Sequence, residues 1–519
     1  AAHGRFFEFN RGEPSAGVTS PGFMLLLAGL FKAAPDSIVP ALMKAANLLA
    51  WYGLVLVFFL LARRVLCSGV WALFATLAVG LMPGSVYNST IGMENGIFGL
   101  LVIAWLYYVI RTGWFEPRGG GTAELLRELG SGGLLGVACW ARPEGYLVAG
   151  AALSFRAVIW LRGGNRIDEV IRQSLASLVP LVALAGGLAY FHYSQTGYLL
   201  PTSGSSRILM SNVASDTFHM GPLFASPKFT IRLAAYFPLA LLWLAANWLF
   251  FTRKDFFGQW RPAVGFSLLI FWTFFVLYST VLGSTHLSRY IIFIMPIMAL
   301  VATAGGKWLW EWNQMQRWNK MRLVCTAGLI SAPLILLVVY GAETNLRLGL
   351  DSQSSLFRSM SAVSERDEFT TELLNRLGVD GSRTVSVALQ EVQLRYWLDD
   401  RVVVRSLDGR VDPLLLDHAT DTGVDHLGYL DERKVDFILE LPNYNRDASA
   451  WSLSRFTDLT PGESTEINGM HFTAILVDEA PVETGSTVGG NGCRGGPSSG
   501  RAPFLDWFLS VIICIDYEG

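Results

Sequence analysis

Three short stretches place ionisable side chains among apolar neighbours. "IGMENGIFGLL" sets Glu94 at the start of an apolar run. "ACWARPEGYLV" sets Arg142 and Glu144 on either side of Pro143, between two apolar half-segments. "STHLSRYIIFIMP" sets His286, Arg289 and Tyr290 at the mouth of another apolar run. A carboxylate or imidazole there can take a proton from a hydroxyl, and an arginine fork can hold a phosphate. Ionisable groups at membrane depth often serve function. Each stretch also has a plain structural alternative. Glu94 could stabilise a helix N-terminus by ~0.3–1 kcal/mol. Arg142 and Glu144 could form a local ion pair in a turn, and Arg289 could snorkel beside an interfacial Tyr290. A fourth, weaker place is "TGYLLPTSGSSRILM", whose first cation is Arg207.

The elements that must position these residues are membrane helices. Hydrophobic residues make up 52% of the chain and charged residues 16%, against roughly 25% charge in soluble domains. A span needs ~20 mostly apolar residues. Candidate spans run approximately Pro40–Ala62, Val70–Met82, Asn95–Ile110, Gly132–Trp140, Gly145–Leu161, Ser174–Phe191, Ile231–Phe251, Val264–Leu282, Tyr290–Ala304 and Leu323–Tyr340. Gly132–Trp140 is short and reads as half of a broken helix, interrupted by "ARPEG". Basic residues mark every second connection: Arg63 and Arg64; Arg111, Arg118 and Arg127; Arg156, Arg162, Arg166 and Arg172; Arg253, Lys254 and Arg261; Lys307, Arg317, Lys320 and Arg322. Lys and Arg concentrate on the cytoplasmic side, so the opening loop and everything after Tyr340 are expected outside. Trp308, Trp310, Trp312 and Trp318 fit an aromatic belt at the inner interface.

Beyond about residue 341 the pattern changes. "SAVSERDEFTTELLNRLG" has helical periodicity and ends on Gly378, a suitable C′ residue. "TVSVAL", "RVVVRSL", "VDFILEL" and "FTAILVD" read as strands, with helices at "EVQLRYWLDD" and around "HLGYLDERK" between them. The expected architecture is a polytopic α-helical membrane domain over 1–341, then an extracytoplasmic α/β domain over 342–480. Residues 481–519 form a low-complexity tail expected to be disordered.

The net charge of −2 gives no support for nucleic-acid binding. The five cysteines, Cys67, Cys139, Cys325, Cys493 and Cys514, make no CxxC pair and no Cys/His metal spacing. No cofactor is identified; the absence of an outer Asp-x-Asp pair leaves divalent-metal dependence open. His3, His192, His219, His418, His426 and His471 are scattered, each better read as a surface or satisfied interior residue than a ligand.

The ordered motifs resemble the C-type (GT-C fold) membrane glycosyltransferases. "FEFNRGEPSAGVTSPGFMLLLAGL" is similar to the second half of their first outer loop. "GMENGIFGLL" resembles their Gly-Leu/Met-Glu-Thr element, with Asn95 in place of Thr. "WARPEGYLV" resembles their Thr-Arg-Pro-Asp/Glu-Gly element, and "GYLLPTSGSSR" a Leu-Pro-Asn-Thr stretch with Arg207 for Lys. "SRYIIFIMP" is similar to their Arg-Tyr helix start, and "VALQEVQLRYWLDDRVVVRSLDGRVDP" to the outer domain of arabinofuranosyltransferase-like relatives. The order matches across roughly 1–340, and more loosely across 380–440.

The resemblance implies inverting sugar transfer from a polyprenyl-phosphate donor to a polysaccharide, glycolipid or glycoprotein acceptor, at the outer face of a bacterial inner membrane. Such chemistry needs a cation for the leaving phosphate, with Arg142, Arg207, Arg289 and Tyr290 as candidates. It needs a base for the acceptor hydroxyl, with the Glu94 and Glu144 carboxylates and the His286 imidazole as catalytic candidates. The resemblance puts the family's main catalytic Asp upstream of the Gly-aromatic-Asn stretch. The chain as it begins is therefore expected to lack that residue and the first helix, and to be inactive. Glu8 and Glu13 lie in the loop but not at the matching position. The rival readings are an oligosaccharide ligase or oligosaccharyltransferase, a transporter, and a non-enzymatic scaffold; a transporter tends to show paired inverted repeats, which this sequence lacks.

Overall fold

The computed structural model describes residues 8–10, 13–15, 20–35, 38–82, 94–116, 121–164, 167–199, 201, 240–253, 255–276, 293, 295–315, 328, 366–389, 398–406, 418–420, 423–424, 426–440, 461–467 and 470–476. The chain opens with a short antiparallel hairpin of β1 (Glu8–Asn10) and β2 (Glu13–Pro14). Helix α1 (Pro21–Ala33) follows, with proline in its first turn, where the missing N–H is not needed. Next come α2 (Val39–Leu66), α3 (Gly69–Gly80) and α4 (Asn95–Thr112). Arg63 and Arg64 sit in the last turn of α2, where cations complement the helix dipole.

Helix α5 (Thr122–Ala141) and α6 (Glu144–Arg162) meet at a two-residue corner. After α6 come α7 (Ile167–Leu181), a π-helical turn (Val182–Gly186) and α8 (Gly187–Thr196), which run on as one rod. Pro180, which cannot donate the usual backbone bond, lies just before the π turn. The bundle continues through α9 (Ala240–Thr252), α10 (Arg261–Val276) and α11 (Met295–Met315).

Four helical stretches among the described residues are long and apolar enough to cross a membrane: Ala41–Leu66, Asn95–Thr112, Glu144–Arg162 and Val170–Thr196. The chain is a multi-pass membrane protein. One core runs through the bundle, from Trp51 and Phe58 of α2 through Phe98 and Trp105 of α4 to Val301 of α11. The expected span Leu323–Tyr340, apart from Gly328, and the first part of Ile231–Phe251 lie outside the described residues, as do most of "EVQLRYWLDD" and the whole 481–519 tail.

Two expectations are corrected. The segment Gly132–Trp140 is not a short half-helix but the second half of the twenty-residue α5. Its first half reads as a loop because it carries Glu124, Arg127 and Glu128. Arg127 and Glu128 are buried and Glu124 is half-buried, all within the helix rather than solvated in a connection. Likewise Arg156, expected among the loop cations, is fully buried inside α6. The reason is mutual neutralisation. Arg156 donates to both Glu128 oxygens at 2.5 and 2.6 Å, and its guanidinium lies between the rings of Trp114 and Trp160, 4.1 and 3.9 Å from their centroids. Ser177 and Trp114 also donate to Glu128, at 2.5 and 2.8 Å. Arg127 bridges Glu128 and Glu124 at 3.1 and 3.0 Å. The two arginines and two glutamates balance.

Close packing makes this possible. A Cβ on Gly132 would fall 1.9 Å from the Ser177 carbonyl oxygen, so α5 and α7 pass with their backbones nearly touching.

A second core belongs to a five-stranded sheet. Its order is β4 (Val402–Ser406), β3 (Val385–Leu389), β7 (Phe437–Glu440), β9 (Met470–Leu476), β8 (Pro461–Ile467). The first three are parallel and the last two antiparallel. A small hairpin, β5 (Ala419–Thr420) and β6 (Gly423–Val424), stands apart. Val385, Val387, Val402 and Val404 alternate inward onto Phe369, Leu373 and Leu374 of α12 (Arg366–Arg376). Helix α12 ends as its sequence predicts. Gly378 takes φ +68° at the C′ position, Val379 N–H reaches the Leu374 carbonyl, and Gly378 N–H reaches that of Asn375. Helix α13 (His426–Glu432) links β6 to β7.

Arg156→Met leaves Glu128 buried without its main counter-charge. It is expected to destabilise the bundle by about 3–5 kcal/mol, read as a lower melting midpoint in detergent. Adding Glu128→Gln should recover much of the loss. An unchanged midpoint in Arg156→Met would mean that water reaches the pair.

Candidate functional site

The corner between α5 and α6 exists because of Pro143. A residue before proline is pushed to extended backbone, and Arg142 has φ −158° and ψ 148°. Its N–H still closes α5 on the Ala138 carbonyl, and its own carbonyl accepts from Gly145 N–H at 2.9 Å to start α6. Gly145 is required by contact: a Cβ there would lie 2.6 Å from the Ala138 carbonyl carbon and the Cys139 nitrogen. The corner is also hung from the π turn. The Trp140 indole donates to the Leu184 carbonyl and the Tyr146 hydroxyl to the Ala185 carbonyl, both at 2.9 Å. A π turn shifts the helical ladder, and here carbonyls in it accept from side chains.

Held this way, Arg142 points at the start of α4. Its guanidinium meets Glu144 at 2.7 and 3.1 Å and Glu94 at 3.3 Å, donates to Asn95 Oδ1, and lies 6.0 Å from the Phe98 ring centroid. Arg142, Glu94 and Asn95 are all buried. Glu94 does not cap its helix, having no side-chain bond to the α4 backbone. Two motifs 47 residues apart, from Asn95 to Arg142, thus form one constellation.

Among the described residues, one guanidinium thus meets two carboxylates. Beside it, the Asn95 Nδ2 group is buried with no hydrogen-bond acceptor among the described residues. Its amide oxygen faces the arginine, so its two N–H donors face elsewhere and need an oxygen. A small, shallow apolar cleft adjoins the corner, lined by Pro21, Cys139, Pro143, Tyr146, Leu188 and His192 among others. Among the described residues, no group of three or more His, Cys, Asp or Glu is placed to hold a metal ion.

Of the residues singled out by sequence, Glu94, Arg142 and Glu144 come together. His286, Arg289, Tyr290 and Arg207 lie outside the described residues. Sequence reasoning passed over Asn95, Phe98 and the π turn. Asn95 carried a signal, as a polar side chain next to Glu94 at the mouth of an apolar helix.

Arg142→Gln leaves two carboxylates near one another without their shared cation. We expect it to destabilise by about 3–5 kcal/mol. Glu94→Gln and Glu144→Gln added to Arg142→Gln remove the stranded charges, and most of the stability should return in thermal unfolding. A triple variant no more stable than the single would show that the loss comes from packing on Phe98, not from charge.

No protein-family model matches the chain, and no curated protein matches it. Solved structures do. ArnT from Cupriavidus metallidurans, bound to undecaprenyl phosphate, superposes with a TM-score of 0.53 at 13% identity, over 89% of this chain and 88% of that one. The apo oligosaccharyltransferase of Archaeoglobus fulgidus gives 0.53 at 12% identity, over 82% of this chain and 61% of that one. The archaeal oligosaccharyltransferase AglB of the same organism, with an inhibitory peptide and a dolichol-phosphate, gives 0.51 at 10% identity and the same coverage. The chain thus spans 61% of the length of the archaeal enzyme. At these identities the likeness is one of fold, and the fold is the GT-C-like membrane helix bundle that the sequence motifs imply.

Proposed function

We propose that this protein is a membrane-embedded glycosyltransferase, moving a sugar from a polyprenyl-phosphate donor to a cell-envelope acceptor on the outer face of a bacterial inner membrane. The observation that carries the reading is the buried Glu94–Asn95–Arg142–Glu144 constellation, assembled beside an apolar cleft at one end of a GT-C-like bundle. ArnT, which shares the fold, was solved with undecaprenyl phosphate.

In this reading the bond from the sugar's anomeric carbon to the phosphate oxygen breaks as the bond to the acceptor oxygen forms. The acceptor's proton passes to a carboxylate, and polyprenyl phosphate leaves. Inversion follows from a single displacement. The leaving phosphate needs a cation. Arg142, Arg207 and Arg289, with Tyr290 as a hydrogen-bond donor, are the candidates for that role. Glu94 and Glu144 are the carboxylate candidates for the acceptor's proton, with the His286 imidazole as the alternative acceptor. The C-terminal sheet forms the extracytoplasmic domain of about 342–480.

Transfer of a whole oligosaccharide is the second reading, favoured by the likeness to the archaeal oligosaccharyltransferase. The size of the labelled product separates the two.

The test is full-length protein in liposomes, given radiolabelled polyprenyl-phosphate sugars and envelope acceptors. We expect a new glycosidic bond. Movement of substrate across the bilayer with no bond made would sink the enzyme reading in favour of a transporter. Arg289→Ala should reduce transfer by about 100-fold or more with membrane insertion intact; retained activity would make Arg289 an interfacial anchor. Glu94→Gln should lower turnover more than it lowers the yield of folded protein.

A further inference from the structure

The hairpin at the start of the chain docks on the edge of the C-terminal sheet. Strand β4 is an outer strand of that sheet, and an edge strand leaves backbone groups without strand partners. The Asn10 side chain fills one rung. Its Nδ2 donates to the Val404 carbonyl at 2.8 Å, and its Oδ1 accepts from Val404 N–H at 3.0 Å. An amide side chain suits this because it carries a donor and an acceptor side by side. Next to it, Arg405 grips Glu13 with both terminal nitrogens, at 2.5 and 2.9 Å. Asn10 also donates to Glu13, at 3.1 Å. Burial alone would push the Glu13 carboxyl up; Arg405 and Asn10, with Arg433 further off, hold it below its ordinary value.

The Glu13 side chain is 39% exposed, whereas Arg405 and Asn10 are buried, so solvent screens the contact only in part. The contact fixes where the hairpin sits. What the hairpin leads to matters more. Ser15 and Ser20 are buried, and α1 begins at Pro21. The chain between them reaches at most about 20 Å. The first turn of α1 lies against the corner of the candidate site: a Cβ on Gly22 would sit 3.0 Å from the Trp140 carbonyl oxygen and 3.3 Å from its Cβ. Trp140 is two residues from Arg142.

We infer that Asn10, Glu13 and Arg405 are positioning residues, through which the C-terminal sheet holds the first loop, and with it the start of α1, against the Trp140–Arg142 corner. Only the expected effect on turnover rests on the glycosyl-transfer reading.

The experiment is hydrogen–deuterium exchange on the full-length protein in lipid nanodiscs, with transfer kinetics alongside. Glu13→Arg should speed exchange in the hairpin, in the first turn of α1 and around residues 140–146. It should lower kcat by about tenfold or raise the acceptor KM to match. Combining Glu13→Arg with Arg405→Glu should restore exchange and turnover together. Glu13→Gln, which keeps the shape, should give an intermediate effect and serves if the charge swap fails to fold. Unchanged exchange in the hairpin would overturn the inference. So would faster exchange confined to the hairpin, with α1 and the corner unaffected, or faster exchange throughout with turnover unchanged. If the unaltered protein transfers no sugar, the glycosyltransferase reading fails, and the exchange pattern by itself still decides whether the sheet positions the corner.

Discussion

The Glu128 carboxylate accepts from Arg156 on α6, Ser177 on α7, Trp114 beyond the end of α4 and Arg127 on α5 itself. A charge in an apolar bundle must bring its partners with it, because desolvation costs several kcal/mol per ion and only good geometry offsets it. Glu128 meets that condition by drawing four elements to one point. The bare glycine surface of α5 follows from the same demand, since α7 must come close enough for Ser177 to reach. So do the two tryptophans that close over the Arg156 guanidinium.

The two buried arginines of this region make a useful contrast. Arg156 sits in a balanced cluster, with an aromatic ring on each side. Arg142 meets two carboxylates, next to the Asn95 amide and beside a shallow apolar cleft. Neither cluster is fully closed among the described residues: Arg156 Nε and Glu124 Oε2 in the first, and Asn95 Nδ2 in the second, are buried without a hydrogen-bond partner there. What differs is the setting, since Arg156 is enclosed by aromatic rings and Arg142 lies at a helix corner.

Much of this could be read from residue order, and the failures have physical causes. Hydrophobic blocks found the helices, and Gly378 located the end of α12 because only a residue at ease with positive φ closes that motif. Strands β3, β4, β7 and β9 showed in their runs of β-branched and aromatic residues. Strand β8, "PGESTEI", carries few such residues and pairs only with β9, so propensity was silent. Glu94, Arg142 and Glu144 stood out as charges in apolar surroundings, but no local pattern reveals that Arg142 reaches back to α4. Counting charges also misplaced Arg127 and Arg156. A buried cation looks like a loop cation until its counter-charge is seen, and Glu128 comes from another helix in one case and from the next position in the other.

The grip of Arg405 on Glu13 spans 392 positions of the chain, nearly its whole described length. A ribosome makes the first loop long before it makes the sheet that seats it. The described helices of the bundle, through Met315, are also made before β4. Only when synthesis has reached β4 does the seat for the hairpin exist, so a chain interrupted before that strand would leave the first loop without the contact that fixes it.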